Sequence, residues 1–349
     1  MLESPYPLQG ITDADLQRLT EALWDWYICE ACQSGAECIM ARCAWKRSAR
    51  LGRFFDFYKD ITTSYVPDLL PCSEPALRRH EDIIGTILLL REKPSSKRSE
   101  LTHECFSRRD AKPPSLADQH RAVNLIVQVM AMVKCSAENQ PLGVLELGTQ
   151  PLLWRTDKSL AEFMSSASPQ SDNVNLCVHD DLNGRRGVVE IYHYTSVLKE
   201  HLVASRPDDG TATFEQSISK GNIPRQVALE ALDSVQKILF PFDSDSECFL
   251  RELVSKQSFD PDCLRYDSTG YRMQAEQEIC YKYFSRRLMD LFEELENPNP
   301  RGILEKWFQR KSGARYMMMA TLVGVLFAVI LARRLNIVYL QFGFPKEGP

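Results

Sequence analysis

Apolar residues recur at intervals of three and four along much of the chain, the spacing of one helical face. Leu16, Leu19, Leu23 and Tyr27 share such a face, and Thr12 or Asp13 stands where an N-cap belongs. The pattern continues, with a break near Gly35, through "ECIMARCAWKRSARLGRFFDFYKDI", until Pro67 and Pro71 interrupt it. The run "IIGTILLL", Ile83 to Leu90, is too short to cross a bilayer and reads as a buried strand or a core helix segment. From Lys93 to Ser115 the chain turns rich in Pro, Ser and charge, which predicts a linker or long surface loop. In "LADQHRAVNLIVQVMAMVKC", Val123, Ile126, Val127, Met130 and Val133 again mark a helical core face.

A mixed stretch follows. "LLW" at Leu152–Trp154 and a helix-like "SLAEFM" precede a predicted β-hairpin, with strands Val174–His179 and Gly187–Tyr194 joined at Asn183-Gly184. "TSVLKEHL" reads as a short helix capped by Thr195 or Ser196. Pro224 suits a first helical position, with Val227, Leu229, Ala231, Leu232, Val235, Ile238 and Leu239 behind it. Ser244 or Ser246 starts another helix, and Ile279, Tyr283, Leu288, Leu291, Phe292 and Leu295 describe a long amphipathic one that "NPNP" ends. The expected fold is mainly α-helical with a small β-hairpin, plus one C-terminal transmembrane helix. The divisions are 1–92, an N-terminal helical region; 93–115, the linker; 116–296, a mixed, mostly helical body; 297–315, a juxtamembrane segment; 316–332, the span; and 333–349, a tail.

The phrases "ADQHRAVNLIVQVM", "GVVEIYHYTSVLKEHL", "GNIPRQVALEALDSVQKILFP", "LVSKQSFDPDCLRYDS" and "RLMDLFEELENPNPRGILEKWFQRKSGARYMMMATLVGVL" resemble a group of uncharacterised filamentous-fungal proteins. The resemblance runs from about Leu116 to Leu326. It implies a C-terminal membrane segment and a body without a known activity. At Arg333 and Arg334 this chain departs from the group, where an apolar segment would continue.

Tyr316 to Ala332 carries no charge, and at 1.5 Å per residue it spans about 26 Å, slightly less than a hydrocarbon core. Arg315, Arg333 and Arg334 can snorkel at the two rims. Arg301, Lys306, Arg310, Lys311 and Arg315 before the span outnumber Arg333, Arg334 and Lys346 after it, which places the body in the cytosol. The expected site is therefore an intracellular membrane, with endoplasmic reticulum, mitochondrial outer membrane and peroxisome undistinguished. Trp307 and Phe308, with Ile303 and Leu304, form one face beside Arg310 and Lys311, the pattern of an interfacial helix. Ala320, Gly324, Ala328 and Ala332 recur every four residues, a stripe that lets two anchor helices pack as a homodimer.

Composition changes this picture little. An apolar share of 44% and a charged share of 26% suit a globular chain with a core. A net charge of −5 gives no global argument for nucleic-acid or anionic-membrane binding; the expected partners are the lipid bilayer and an unknown protein, not nucleic acid. Eleven cysteines without a secretory leader read as reduced thiols.

Cys29, Cys32, Cys38 and Cys43 make C-x2-C-x5-C-x4-C, the one candidate metal set, and the first pair has zinc-knuckle spacing. The short middle gap and the helical patterning around it favour reduced core cysteines instead, with no metal or other cofactor expected. Arg42, Lys46, Arg47, Arg50 and Arg53 read as a solvated stripe, and Trp45, Phe54, Phe55 and Phe57 as core. G-x-S-x-G, Walker A, H-E-x-x-H and dinucleotide motifs are absent. The first functional reading is a membrane-tethered interaction or scaffold protein. The alternative is a membrane-bound enzyme with its site between Leu142 and Leu202, where His179, Asp180, Asp181 and His193 gather.

Overall fold

The computed structural model describes residues 7–38, 40–68, 73–107, 113–132, 135–137, 152–167, 178–180, 187–189, 191–207, 213–256, 259–277 and 280–296. The segments 297–315, 316–332 and 333–349, with every interface and packing residue expected there, lie outside them. Among the described residues the chain is mainly α-helical, with short two-stranded pairings.

The N-terminal helix α1 (Asp13–Trp24) begins in a capping box: Thr12 accepts from the Asp15 amide, and the Asp15 carboxylate accepts from Thr12. Leu16, Leu19 and Leu23 are buried as their spacing requires. Tyr27 is exposed, because Asp25 takes a left-handed conformation (φ 54°) and ends the helix before it. A short α2 (Glu30–Gln33) and a 3-10 stretch (Ala44–Leu51) lead into α3 (Gly52–Thr63). Phe54 and Tyr58 of α3 are fully buried. "IIGTILLL" belongs to α4 (His80–Glu92), a core helix that packs against α1 and buries Ile83, Ile87 and Leu90.

The polar stretch 93–115 carries α5 (Arg98–Phe106) where a linker or loop was expected. Arg98 is fully buried there: its guanidinium lies 4.8 Å from the Trp154 ring and donates to Asn124 Oδ1 at 2.6 Å. The composition that marks a linker thus also describes a helix whose arginine fills the core as a cation–π partner. Ser115 caps α6 (Leu116–Ala131), which buries Val123, Ile126, Val127 and Met130. Strand β1 (Cys135–Ser136) pairs in parallel with β2 (Leu152–Leu153), and α7 (Leu160–Ala167) follows. Strands β3 (Val178–Asp180) and β4 (Gly187–Val189) pair in the region of the expected hairpin. The turn between them is outside the described residues.

Helix α8 (Thr195–Ala204) is buried along Thr195–Leu202. It contacts α1, α9 (Phe214–Gly221), α10 (Arg225–Asp233) and the 3-10 turns Pro261–Leu264 and Ser268–Tyr271. Pro224 is the N-cap of α10, and the helix relaxes into a π-helical turn, Ser234–Leu239, where Ser234 Oγ bonds back to the Glu230 carbonyl. Asp243, one residue before the expected start, caps α11 (Ser244–Ser255). The last described helix, α12 (Ser285–Glu296), is shorter than its apolar pattern. The buried Glu230 carboxylate accepts the amides of Lys282, Tyr283 and Phe284 at 2.8–3.1 Å, so those residues form a bound turn ahead of the helix. The chain divides into two units, the first of them residues 1–179 with 188–292. The first holds the cores described here, a large one and a smaller one around Val235, Phe240, Leu250 and Cys263.

Helices α8 and α9 cross at Gly221, where an added Cβ would lie 2.8 Å from Ser205 Cβ and 2.9 Å from the His201 carbonyl oxygen. Gly221→Ala must push these helices apart. It is expected to cost about 1–3 kcal/mol, the usual range for overpacking, read as a lower denaturation midpoint.

Candidate metal centre

Apart from the single turn α2, the described residues of 25–43 are irregular, with the chain breaking at Gly35 as its patterning suggests and also at Asp25. Asp25 turns the chain out of α1, Cys29 precedes α2, and Gly35 adopts φ +77°, a conformation that glycine takes without strain. Gly35 has open space at its Cβ position, so its backbone angle alone requires glycine. The Gly35 amide donates to the Cys32 carbonyl and the Ala36 amide to the Ala31 carbonyl, which folds the chain back after the first cysteine pair. Gln17 of α1 donates from Nε2 to the Cys32 carbonyl at 2.9 Å, and the Ala44 amide reaches the Tyr27 carbonyl at 3.0 Å. These bonds close the loop on itself.

Closure brings all four cysteines together. Their Sγ atoms lie within 4.8 Å of one another, with Cys29 to Cys38 at 3.8 Å and Cys32 to Cys43 at 3.7 Å. Cys29, Cys32 and Cys43 are buried, and Cys38 is partly so. Burial, reinforced by the neighbouring thiols, pushes Cys32 well above the usual thiol range, and burial also raises Cys38. Burial acts the same way on Cys43, but hydrogen bonds from the backbone of Cys29 and Trp45 outweigh it and bring that thiol down to about 7. Four sulfurs at these separations can surround one tetrahedral cation.

The residues flanking the loop dock on α8. Trp26 Nε1 donates to Glu200 at 3.0 Å, and Arg47 donates two bonds to the same carboxylate at 2.8 and 2.9 Å. The Arg47 guanidinium also lies 5.0 Å from the Trp26 ring. Trp24 Nε1 donates to His201 Nδ1 at 3.0 Å. Arg47 is thus drawn out of the expected solvated stripe, while Arg42 and Lys46 are exposed. Arg50 and Arg53 line an open cleft of about 490 Å³ with Asp56, Asp262 and Arg265. Phe54 and Phe55 are buried as expected, and Trp45 and Phe57 pack against the core from its edge.

A second buried ionic group had no sequence motif. Lys199 Nζ lies 2.5 Å from both Asp262 and Asp267 and donates to the Arg265 carbonyl at 3.1 Å. The one available signal was three adjacent polar residues, Lys199-Glu200-His201, between the apolar pairs Val197-Leu198 and Leu202-Val203.

Of the residues gathered for an enzymatic site, His193 is stacked between Tyr194 and Phe259 at centroid distances of 4.2 and 4.9 Å. Its Nδ1 accepts the Asp260 amide at 3.1 Å. Asp181 lies outside the described residues, and nothing is described of the His179 and Asp180 side chains.

Burial depresses the basicity of His193 to about 4 and of His201 to about 3, each helped by a nearby arginine, Arg53 and Arg91 respectively. Both values are below the ordinary 6.5, so between pH 6.5 and 4 the unfolded chain takes up protons that the folded chain refuses. Their contribution is complete above pH ~6.5 and is lost as pH falls. Unfolding free energy is expected to decline over that window, and His201→Gln should flatten the slope in denaturant titrations at successive pH values. No protein-family model, no curated protein and no solved structure matches this chain.

Proposed function

We propose that this chain is a membrane-tethered interaction protein, a helical body held at an intracellular membrane by one C-terminal helix and facing the cytosol. The observation that carries the reading is the uncharged run Tyr316–Ala332 with Arg315 on one rim and Arg333-Arg334 on the other. That run lies outside the described residues, among which no helix is long and apolar enough to cross a membrane. The body adds support for a binding role. Phe242 and Phe249 are exposed beside the smaller core, apolar surface of the kind that partners cover. The stripe Ala320, Gly324, Ala328 and Ala332 supports pairing of two anchors.

Alkaline carbonate extraction tests the tether. The full chain is expected to stay with the membrane pellet, and a chain truncated after Ser312 to wash off. Release of the full chain would end the reading. Gly324→Leu is expected to lower the cross-linked dimer several-fold in the same membranes without releasing the protein.

A further inference from the structure

We infer that Cys29, Cys32, Cys38 and Cys43 bind one zinc ion as a structural site. The inference goes beyond the tethering reading and does not depend on it. Its basis is metric. A Zn–S bond of about 2.3 Å sets the edge of a regular sulfur tetrahedron at about 3.8 Å. Cys29 to Cys38 stands at 3.8 Å and Cys32 to Cys43 at 3.7 Å, and every pair falls within 4.8 Å. Four thiols packed only as small apolar groups have no reason to converge on a point, because each could bury its sulfur against any neighbouring side chain. A disulfide needs a sulfur separation of about 2.05 Å, far shorter than either pair shows.

The chemistry of the donors selects the ion. Four soft thiolates in a tetrahedral array favour zinc over calcium or magnesium, which take hard oxygen ligands. With all four positions filled by protein, no coordination site remains for water or substrate, so the ion holds structure and does not catalyse. Binding replaces four S–H protons by four Zn–S bonds and leaves a centre of charge −2. The spacing departs from the usual pattern of two ligand pairs separated by a dozen or more residues. The fold explains how a five-residue gap suffices: the positive-φ Gly35 reverses the chain directly after α2, so Cys38 returns to the pair it has just left.

The ion would fix the loop that sends Trp26 and Arg47 to Glu200. Its loss is therefore expected to loosen the N-terminal contacts of α8.

The test uses the full chain, purified in detergent without chelator, with metal content and free thiols measured together. About one zinc per chain is expected, retained through dialysis. Replacing zinc with Co2+ should give the intense visible absorption of a tetrahedral tetrathiolate centre, and X-ray absorption on the zinc form should show four sulfurs at about 2.3 Å. Cys32→Ser or Cys43→Ser should lower zinc content at least several-fold, while Cys248→Ser, at an exposed cysteine outside the set, should leave it unchanged. The wild-type measurements decide the matter even where a variant fails to fold. Folded wild-type chain with less than about a tenth of an equivalent of zinc and no Co2+ spectrum overturns the proposal, as does a mass showing two disulfides among these four cysteines.

Discussion

Helix α8 imposes the constraint that the other elements must satisfy. It is surrounded on every side, yet Thr195, Ser196, Lys199, Glu200 and His201 are all polar and all buried. An ionised side chain in such a place costs several kcal/mol unless a partner meets it with good geometry. The partners come from opposite ends of the chain. Trp24, Trp26 and Arg47 answer His201 and Glu200, whereas Asp260, Asp262 and Asp267 answer Ser196, Thr195 and Lys199. The helix cannot occupy the interior until both groups have arrived. Its polar residues therefore specify which segments must assemble around it, a role separate from the apolar burial that drives assembly.

The same device recurs with single charges at the helix junctions. Arg91 of α4 binds the Asp25 carboxylate and collects the Ala22, Ser219 and Lys220 carbonyls, so the C-terminal ends of α1 and α9 meet on one cation. Arg225 does likewise for the Leu202 carbonyl at the end of α8 and the Tyr271 carbonyl, with Glu276 as counter-charge. Asp118 works in the opposite sense. It is fully buried and accepts from the Tyr65 hydroxyl and the Ala76 amide. Each group satisfies backbone atoms that irregular connections would otherwise leave buried without partners.

The legible parts of this fold are those whose signal is local. The Thr12 cap, the leucines of α1, the core face of α6 and the apolar run of α4 all follow from spacing within a dozen residues. Three kinds of feature did not. Arg98 sits in a stretch whose composition marks a linker, and only the distant Trp154 makes its burial intelligible. Nothing local marks Lys199, Glu200 and His201 of α8 as buried, because their partners lie over sixty residues ahead or over one hundred and fifty behind. The cysteines were legible as a set but not as a site. Helical patterning on either side of a break near Gly35 spreads them over separate faces, whereas the left-handed Asp25 and Gly35 fold the chain so that they converge.

The Glu230 carboxylate has one further consequence. By holding the amides of Lys282, Tyr283 and Phe284, it fastens the chain to α10 just ahead of α12. Between α12 and the apolar run lie residues 297–315, whose contour cannot exceed about 65 Å at full extension. Under the proposed tether, that length would confine the encounter with any partner to a thin shell above the bilayer. Two proteins sharing such a shell meet at an effective concentration set by tether length, so even a weak surface contact can be occupied most of the time.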